Sequence, residues 1–292
     1  MKEKMFRGCG TALVTPFKDG AVDFEALGGI LERQKAAGIH FLVPLGTTAE
    51  TPCLSATEKV DILVYTKECC PDAKIIAGAG SNSLTGTLEN IRLLTPCDPD
   101  AFLIVVPFYN KPTQEGMYQY FKAVAESTDK KIVMYNVPGR TGSNMLAETT
   151  LRLAEIPNIV AVKEASGKYS QIAEIIRCAP EGFSVLSGND DETLSLMATG
   201  ADGVISVASN IAPGPIVKLV EAIWADRMDE ARRLFHLLLP LYRNCFVEPN
   251  PIPVKAGMSL LGLLRNELRL PLTPATPSTI ELMQKTLDKL EL

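Results

Sequence analysis

The sequence predicts an α/β protein in which eight parallel strands close into a (β/α)8 TIM barrel, followed by a small C-terminal helical appendage. Strand-like apolar runs alternate with amphipathic stretches of helical spacing, and successive runs begin about 25 to 30 residues apart, as in repeated βα units. Eight such units close into a barrel within about 250 residues. The 292-residue chain has room for that barrel and a short addition.

Each predicted strand is a short run rich in β-branched and apolar residues, as expected for strands buried on both faces. The runs are CGTALVTPF (9–17), FLVPLG (41–46), KIIAGAG (74–80), AFLIVVPF (101–108), KIVMYNVP (131–138), IVAVKEAS (159–166), FSVLSGND (183–190) and GVISVASN (203–210). An open dinucleotide-binding sheet would carry G-x-G-x-x-G after its first strand, but VTPFKDG stands there. The glycines of AGAGSNS (77–83) follow the third strand and lack the third glycine, which favours close backbone packing over a nucleotide site.

The stretches between the strands place their apolar residues on one helical face. They include 23–38, 55–70, 113–128 and 212–226. Ser55 followed three residues later by Glu58 is a capping box, which predicts the start of one helix. These signals support a βα repeat.

The alternation stops after Asp226. A helical stretch without a preceding strand covers 227–246, a proline-rich bend and another helix follow, and a last helix is predicted near 277–290. We therefore predict two domains, a catalytic barrel at 1–226 and a C-terminal helical domain at 227–292.

Composition excludes several classes of protein. Hydrophobic residues make up 46% and charged residues 22% of the chain, and the net charge is −5, which argues against disorder, nucleic-acid binding and anionic membranes. No apolar run reaches the roughly 18 residues of a membrane span, and the N-terminus lacks the apolar core of a signal peptide. Seven scattered cysteines form no C-x-x-C pair, which predicts free thiols in the cytoplasm. With only His40 and His236, no histidine-rich metal site is expected.

Lys163 is the unusual residue of the predicted sixth strand. In a TIM barrel the active site lies at the carboxyl ends of the strands, and Lys163 stands near such an end. One interpretation is structural: a neighbouring carboxylate meets the charge, or the side chain extends to the rim. The other is catalytic, because a desolvated amine is more often neutral and attacks carbonyl carbon to form a Schiff base. Glu164 should point to the opposite face of the strand.

Two further strand ends carry residues suited to that chemistry. Tyr135 can move a proton, although it also fits as an ordinary half-buried tyrosine. Thr47 and Thr48 offer hydroxyl and backbone N–H groups to a small carboxylate, or form only a local turn. Arg140, in a PGRTG turn, can grip a second carboxylate bidentately; a solvated surface arginine is the alternative.

Six ordered motifs spread over the whole chain are similar to those of one family. They are GTTAE, PFYNKPTQEGMYQYF, YNVPGRTG, VAVKEASG, LSGND and FVEPNPIPVK. In this order they resemble the 4-hydroxy-tetrahydrodipicolinate (dihydrodipicolinate) synthase family, pyruvate-dependent aldolases related to N-acetylneuraminate lyase. The resemblance implies condensation of pyruvate with L-aspartate 4-semialdehyde, the first committed step of diaminopimelate and lysine synthesis. It also implies a homotetramer built as a dimer of dimers and no organic cofactor.

The resemblance also implies a role for each candidate residue. Lys163 would carry the Schiff base, and the proton relay would be Tyr135, Thr47 and Tyr109, the last reaching in from a neighbouring subunit. The remaining residues would bind substrate: Thr48 the pyruvate carboxylate, Arg140 the semialdehyde carboxylate, and Gly188 with the carbonyl of Ile205 the wall of the pyruvate pocket.

The chain departs from the family pattern at two places. Ala49 replaces the usual glycine of GTTGE, which would strain the turn by about 1 kcal/mol if the position needs a positive φ. The other departure lies in the cleft where lysine-sensitive members bind L-lysine through polar residues. The matching positions here are Asn82, Ala56, Lys59, Gly86 and Phe108. Because Lys59 repels a cationic effector and Gly86 lacks a carboxylate, we expect weak or no inhibition by L-lysine.

Two alternatives stay open at this point. Another pyruvate aldolase, such as N-acetylneuraminate lyase or a keto-deoxy sugar acid aldolase, would share the barrel, the lysine and the tyrosine; Arg140 favours the synthase. A binding or regulatory protein that kept the barrel but lost catalysis would be expected to lack the lysine, the tyrosine or the threonine, and this chain keeps all three.

Overall fold

The computed structural model describes residues 3–290. Eight parallel strands form a closed barrel in the order β1-β10-β9-β8-β7-β6-β5-β4, and β2 and β3 form a separate antiparallel pair. The strands are β1 Gly8–Ala12, β2 Phe17–Lys18, β3 Ala21–Val22, β4 Phe41–Val43, β5 Lys74–Gly78, β6 Ala101–Val105, β7 Lys131–Asn136, β8 Ile159–Glu164, β9 Ser184–Ser187 and β10 Gly203–Ser206. The predicted (β/α)8 TIM barrel is confirmed, and each of the eight predicted strand regions overlaps one barrel strand.

Helices follow the barrel strands and continue to the end of the described chain. They are α1 Phe24–Ala36, α2 Ala56–Cys69, α3 Leu84–Leu94, α4 Gln114–Glu126, α5 Pro138–Thr141, α6 Ala147–Ala154, α7 Tyr169–Cys178, α8 Thr193–Ala198, α9 Pro213–Trp224, α10 Met228–Asn244, α11 Ile252–Leu260 and α12 Pro277–Leu290. Within residues 3–290, none of these helices is both long and apolar enough to cross a membrane.

Side-chain caps explain where several helices begin. The predicted capping box is present: Ser55 Oγ accepts from Glu58 N–H, and the Glu58 carboxylate accepts from Ser55 N–H. Asp23 caps α1, Ser83 caps α3 and Thr113 caps α4 in the same way, each accepting a backbone N–H three residues on. These caps satisfy backbone donors that a helix start leaves unpaired.

By their contacts the residues divide into two compact units. The first comprises residues 3–8 and 74–205 of the described chain, and the second comprises 9–73 and 206–290. The first unit contains strands β5 to β9 and most of β10, and the second contains the helices α10, α11 and α12. The predicted domain boundary at residue 226 stays a prediction.

The C-terminal helices pack within the second unit. A small apolar cluster joins them: Ile252 and Ala256 of α11 pack with Ala275, and partly buried Leu268, Leu272 and Ile280 surround these three. The helix expected near 277–290 is α12. The final helices thus have an apolar core of their own.

Candidate active site

Lys163 lies next to Tyr135 in the first unit. The register of β7 and β8 pairs Tyr135 with Lys163 directly. Only 5% of Lys163 and 7% of Tyr135 is exposed, and Lys163 Nζ lies 4.3 Å from the centroid of the Tyr135 ring. Lys163, for which the sequence predicts bond formation, and Tyr135, for which it predicts proton transfer, are therefore buried neighbours.

Burial changes the protonation of the lysine. Desolvation lowers the pKa of Lys163 to about 7, with a smaller contribution in the same direction from Arg140, while the negative charge of Asp190 opposes the shift. Burial disfavours an ammonium ion because it removes the water that solvates the charge. Near neutral pH a large fraction of Lys163 is therefore the neutral amine, the form that attacks a carbonyl carbon.

Burial shifts the pKa of Tyr135 upward, opposite to its effect on the pKa of Lys163. It raises the pKa of the phenol to about 12, and the charge of Arg140 opposes the rise. The phenol is consequently protonated at neutral pH. In that state it can donate a proton to a reacting atom and take one back, which is the function of a general acid–base group.

Because Gly188 has no side chain, it leaves space for the side chain of Lys163. A Cβ at position 188 would lie 3.1 Å from Lys163 Cε and 2.7 Å from Ala165 Cβ. Gly188 N–H also donates to the Glu164 carbonyl at 2.7 Å. A larger residue would displace the lysine side chain. Close packing therefore explains why position 188 is a glycine. Asp190, two residues further on, was missed in the sequence reading although it belongs to the quoted motif SGND.

Arg140 and Tyr109 lie on adjoining segments. Arg140 is exposed on the one-turn helix α5, and Tyr109 N–H donates to the carbonyl of Thr141 at 3.4 Å. Tyr109 has a φ of 75° and is 88% exposed, which is unusual for a large aromatic side chain. Ile205 is fully buried on β10, and the role of its carbonyl group stays a prediction.

The threonine motif belongs to the second unit. After β4, Thr47–Ala49 forms one 3-10 turn in which Thr47 is exposed and Thr48 is buried. Thr48 Oγ1 accepts from Asn250 Nδ2 at 2.9 Å. A residue from the proline-rich bend thus orients the hydroxyl for which carboxylate binding is predicted.

Ala49 does not carry the strain that a positive φ would cause. The left-handed residues of this turn are Leu45, with a φ of 60°, and Glu50, with a φ of 54°. Ala49 is buried, and its carbonyl accepts from Thr15 Oγ1 at 2.9 Å. Ala49 therefore lacks the positive φ that would strain it, because the left-handed conformations fall on Leu45 and Glu50 instead.

A buried ion pair anchors the same turn, and the sequence reading did not find it. Lys255 Nζ lies 2.6 Å from Glu50 Oε1, and both side chains are fully buried. The other oxygen of Glu50 accepts from the backbone N–H of Arg269 at 2.9 Å. The only available signals were that Glu50 belongs to GTTAE and Lys255 to NPIPVK, although the two residues are 205 positions apart.

The residues of the predicted effector cleft fall in both units. In the first unit, Asn110 Nδ2 of the loop after Phe108 donates to the Asn82 carbonyl at 2.8 Å. A Cβ at Gly86 would lie 2.9 Å from Ser81 Oγ. In the second unit, Ala56 and Lys59 lie on the first turn of α2, Ala56 exposed and Lys59 half-buried. Their part in effector binding stays a prediction.

Comparison with known proteins gives one consistent result. The sequence profile of the Dihydrodipicolinate synthetase family matches residues 5–290. The 4-hydroxy-tetrahydrodipicolinate synthase of Thermotoga neapolitana is 47% identical over 97% of this chain and 98% of its own length. That of Thermosipho melanesiensis is 43% identical over 98% of this chain and 99% of its own. The crystal structure of dihydrodipicolinate synthase from Thermotoga maritima superimposes with a TM-score of 0.97 at 43% identity, covering 98% of this chain and 99% of that one.

The barrel and these relatives define the class of protein first: the chain is a TIM-barrel lyase. Within that class the match over almost the full length, at 43% and 47% identity, decides the family. The chain belongs to the dihydrodipicolinate synthetase family.

Proposed function

We propose that the chain condenses pyruvate with L-aspartate 4-semialdehyde to give 4-hydroxy-tetrahydrodipicolinate, by way of a Schiff base on Lys163. This condensation is the first committed step of diaminopimelate and lysine synthesis, and the relatives are named for it. The observation that carries the proposal is the buried amine of Lys163, 4.3 Å from the Tyr135 ring and with its pKa lowered to about 7.

The reaction proceeds in balanced steps. The neutral amine attacks C2 of pyruvate, and water leaves to form the Schiff base. Loss of a methyl proton to the tyrosine relay gives an enamine, its carbon attacks the aldehyde carbon of the semialdehyde, and the aldehyde oxygen takes a proton from the relay to become the 4-hydroxyl group. The amino group of the semialdehyde then displaces Lys163 and closes the ring.

Four residues assist Lys163 in this proposal. Tyr135 donates and accepts the protons, and its raised pKa keeps it a phenol between turnovers. Thr47 and Tyr109 extend the relay, and Thr48 binds the pyruvate carboxylate, as the family resemblance implies. The hydrogen bond from Asn250 to the Thr48 hydroxyl supports a fixed orientation of that group.

Arg140 separates this proposal from its nearest alternative. An exposed arginine near the reactive lysine suits a second substrate that carries a carboxylate, because the guanidinium group binds carboxylates bidentately. A sugar-cleaving pyruvate aldolase would need several polar contacts to hydroxyl groups instead. We therefore assign Arg140 to the semialdehyde carboxylate, with Gly188 and the Ile205 carbonyl lining the pyruvate pocket.

The first experiment tests the covalent step. Pyruvate with borohydride should attach one reduced pyruvate to Lys163, as read by peptide mass spectrometry. Lys163→Ala should abolish the adduct. Lys255 is a built-in control, since it is also fully buried but should stay unmodified. An adduct that persists in Lys163→Ala would refute the assignment.

The second experiment tests the substrate. Pyruvate consumption is followed with L-aspartate 4-semialdehyde and, separately, with N-acetylmannosamine. Turnover with the semialdehyde alone, weakened in Arg140→Met through a higher KM for the semialdehyde, supports the synthase. Turnover only with the sugar would retain the Lys163 chemistry but move the chain to the lyase branch.

The chain is further proposed to act in the cytoplasm as a homotetramer, a dimer of dimers. The large exposed surface of Tyr109 supports contact with a second copy. The oligomeric state requires a direct measurement, because a solved relative of TM-score 0.97 and 43% identity is a monomeric dihydrodipicolinate synthase variant.

A further inference from the structure

A second buried pair, Asn136 and Glu164, lies behind the reactive lysine. Asn136 follows Tyr135 on β7, and Glu164 follows Lys163 on β8. The register pairs Tyr135 with Lys163 and, one step further, Asn136 with Glu164. Because successive strand residues point to opposite faces of a sheet, the second pair is directed away from the reactive amine.

The Glu164 carboxylate is held by neutral donors. Asn136 Nδ2 lies 3.0 Å from one carboxylate oxygen and 3.2 Å from the other. Ser166 N–H donates to the first oxygen at 2.9 Å, and Gln171 Nε2 donates to the second at 3.4 Å. Glu164 is fully buried, so these amide groups replace its hydration.

The orientation of the Asn136 amide is also determined. Asn136 Oδ1 accepts from Met145 N–H at 3.0 Å. Exchanging the amide oxygen and nitrogen would place a donor against that N–H and an acceptor against the carboxylate. Asn136 therefore links the segment at Met145 to the end of β8 in one arrangement only.

We propose that Asn136 and Glu164 are positioning residues that hold the ends of β7 and β8 in the register that places Lys163 Nζ against the Tyr135 ring. The inference rests on the proposed function, in which Lys163 and Tyr135 perform the chemistry. Backbone bonds extend from the same two residues: the Asn136 carbonyl accepts from Ala165 N–H at 2.9 Å, and the Glu164 carbonyl accepts from Gly188 N–H. Lys163, Tyr135 and Gly188 are thus connected to one polar cluster.

Stability alone does not favour this pair. Burying a carboxylate among neutral groups is costly, and apolar residues of similar volume usually serve a core at least as well. Burial also raises the pKa of the Glu164 carboxyl, although the hydrogen bonds from Ser166, Asn136 and Gln171 oppose the rise. What the polar pair provides is directional bonding, which fixes geometry more narrowly than apolar contact does.

The test uses variants that change the direction of the bonds. Glu164→Gln places an NH2 group opposite the donors of Asn136 and Gln171. We expect kcat to fall about 10- to 100-fold, the effect of a small misplacement of reacting groups, with the KM for pyruvate changed by less than about two-fold. Asn136→Asp sets two carboxylates side by side and should have a similar or larger effect.

The double variant Asn136→Asp/Glu164→Gln reverses donor and acceptor. In that variant the new amide at position 164 donates to the new carboxylate at position 136 and accepts from Ser166 N–H. The carboxylate at position 136 still offers an acceptor to Met145 N–H, but it no longer donates to Asn144 Oδ1 and the Met145 carbonyl, which accept from Asn136 Nδ2 at 3.0 and 3.2 Å. We expect the double variant to regain about three-fold or more of the lost kcat, because coupled partners compensate each other, but not all of it, because the Met145 carbonyl loses its donor. Gln171→Met, which removes only the outermost donor, should show a small decrease of kcat in the same direction.

Ile132→Ala provides the matched control. Ile132 is fully buried on the same strand, and its truncation costs about 2 to 5 kcal/mol of stability, but it lies at the opposite end of β7 from Tyr135. It should lower Tm without lowering kcat in the folded protein. If Glu164→Gln behaves like Ile132→Ala, or if the double variant is no better than the single ones, the inference is wrong.

A second measurement separates this inference from the proposed function. Acetic anhydride acetylates neutral lysines without any substrate, and the rate at Lys163 is read by mass spectrometry. That rate should differ about three-fold or more in the single variants, as for a half-unit pKa change, and recover in the double variant. Absence of a pyruvate adduct in the unaltered chain would refute the proposed function, whereas equal acetylation rates in all variants would refute the positioning role.

Discussion

At the scale of single residues, the same burial has opposite effects on two groups. It removes a proton from Lys163 and retains one on Tyr135, because each group avoids its charged form where water is scarce. A neutral amine and a neutral phenol are the pair that carbinolamine formation and dehydration require. The arrangement thus supplies a nucleophile and a proton donor at the same pH.

The rate of adduct formation should therefore depend on pH in a defined way. The reactive form of Lys163 is the deprotonated one, so the rate of trapping with pyruvate should rise with pH and level off above about pH 7, the lowered pKa. A solvated lysine would be neutral in only about one molecule in three thousand at pH 7. Rates measured from about pH 5.5 to about pH 9.5 on protein of unchanged fold check this, and a rate that still climbs about ten-fold per unit above about pH 8.5 would contradict it.

At the scale of secondary-structure elements, the turn after β4 is held from a distance along the chain. Glu50 adopts a left-handed conformation and is bonded to Lys255 on α11 and to the backbone of Arg269. Arg269 also forms two bonds to the Glu58 carboxylate, at the start of α2. The C-terminal segments therefore stabilise the turn that carries Thr47 and Thr48.

Removing one member of the buried ion pair should be strongly destabilising. Lys255→Met leaves the Glu50 charge buried without its cation and is expected to cost about 3 to 5 kcal/mol. Glu50→Gln/Lys255→Met removes both charges and should be more stable than the single variant. Urea denaturation measures both values.

An exposed pair of equal length provides the control for that prediction. Lys285 lies 2.6 Å from Glu281, but both side chains are about two-thirds exposed. Lys285→Met should change stability by less than about 1 kcal/mol. Equal effects of Lys285→Met and Lys255→Met would show that burial does not determine the strength of the pair.

At the scale of the whole molecule, Tyr109 is the residue whose role requires a second copy. Its side chain is almost fully exposed, and its backbone is held in a left-handed conformation next to the Arg140 helix. In the proposed relay, the exposed Tyr109 side chain would act in the site of a second copy. Subunit mixing can decide this.

Two inactive variants should restore activity to each other. Lys163→Ala lacks the nucleophile and Tyr109→Phe lacks the relay hydroxyl. In a mixed dimer the Tyr109→Phe subunit keeps its lysine and receives an intact tyrosine from its partner. Random mixing after dissociation should give about a quarter of the original activity, since half of the dimers carry one complete site in two. No recovery, although native mass spectrometry shows mixed dimers, would place Tyr109 in its own subunit's site.

L-lysine should inhibit weakly or not at all. At the positions that the family resemblance matches to the effector site, Lys59 would repel a cationic effector and Gly86 would supply no carboxylate. Activity should be nearly unchanged at about 1 mM L-lysine, where an effector of millimolar Kd would be half bound. Clear inhibition below that concentration would refute the prediction.

The sequence by itself determined the architecture and the family, and it predicted the residues that carry the chemistry. Alternating apolar runs and amphipathic stretches indicate βα units, and the capping box at Ser55 indicates a helix start. Both signals are readable because they depend on residues only a few positions apart. Lys163 was identified because an amine in a buried strand is exceptional. The motif order then indicated the family.

Only the tertiary structure decided which side chains are neighbours and how strongly they interact. Strand register places Lys163 against Tyr135, and close packing around Lys163 explains why position 188 is a glycine. The pairing of Glu50 with Lys255, and the absence of strain at Ala49, could not be predicted from local pattern. Such contacts join residues far apart in the chain, and burial, which sets their pKa values and energies, is a property of the folded molecule.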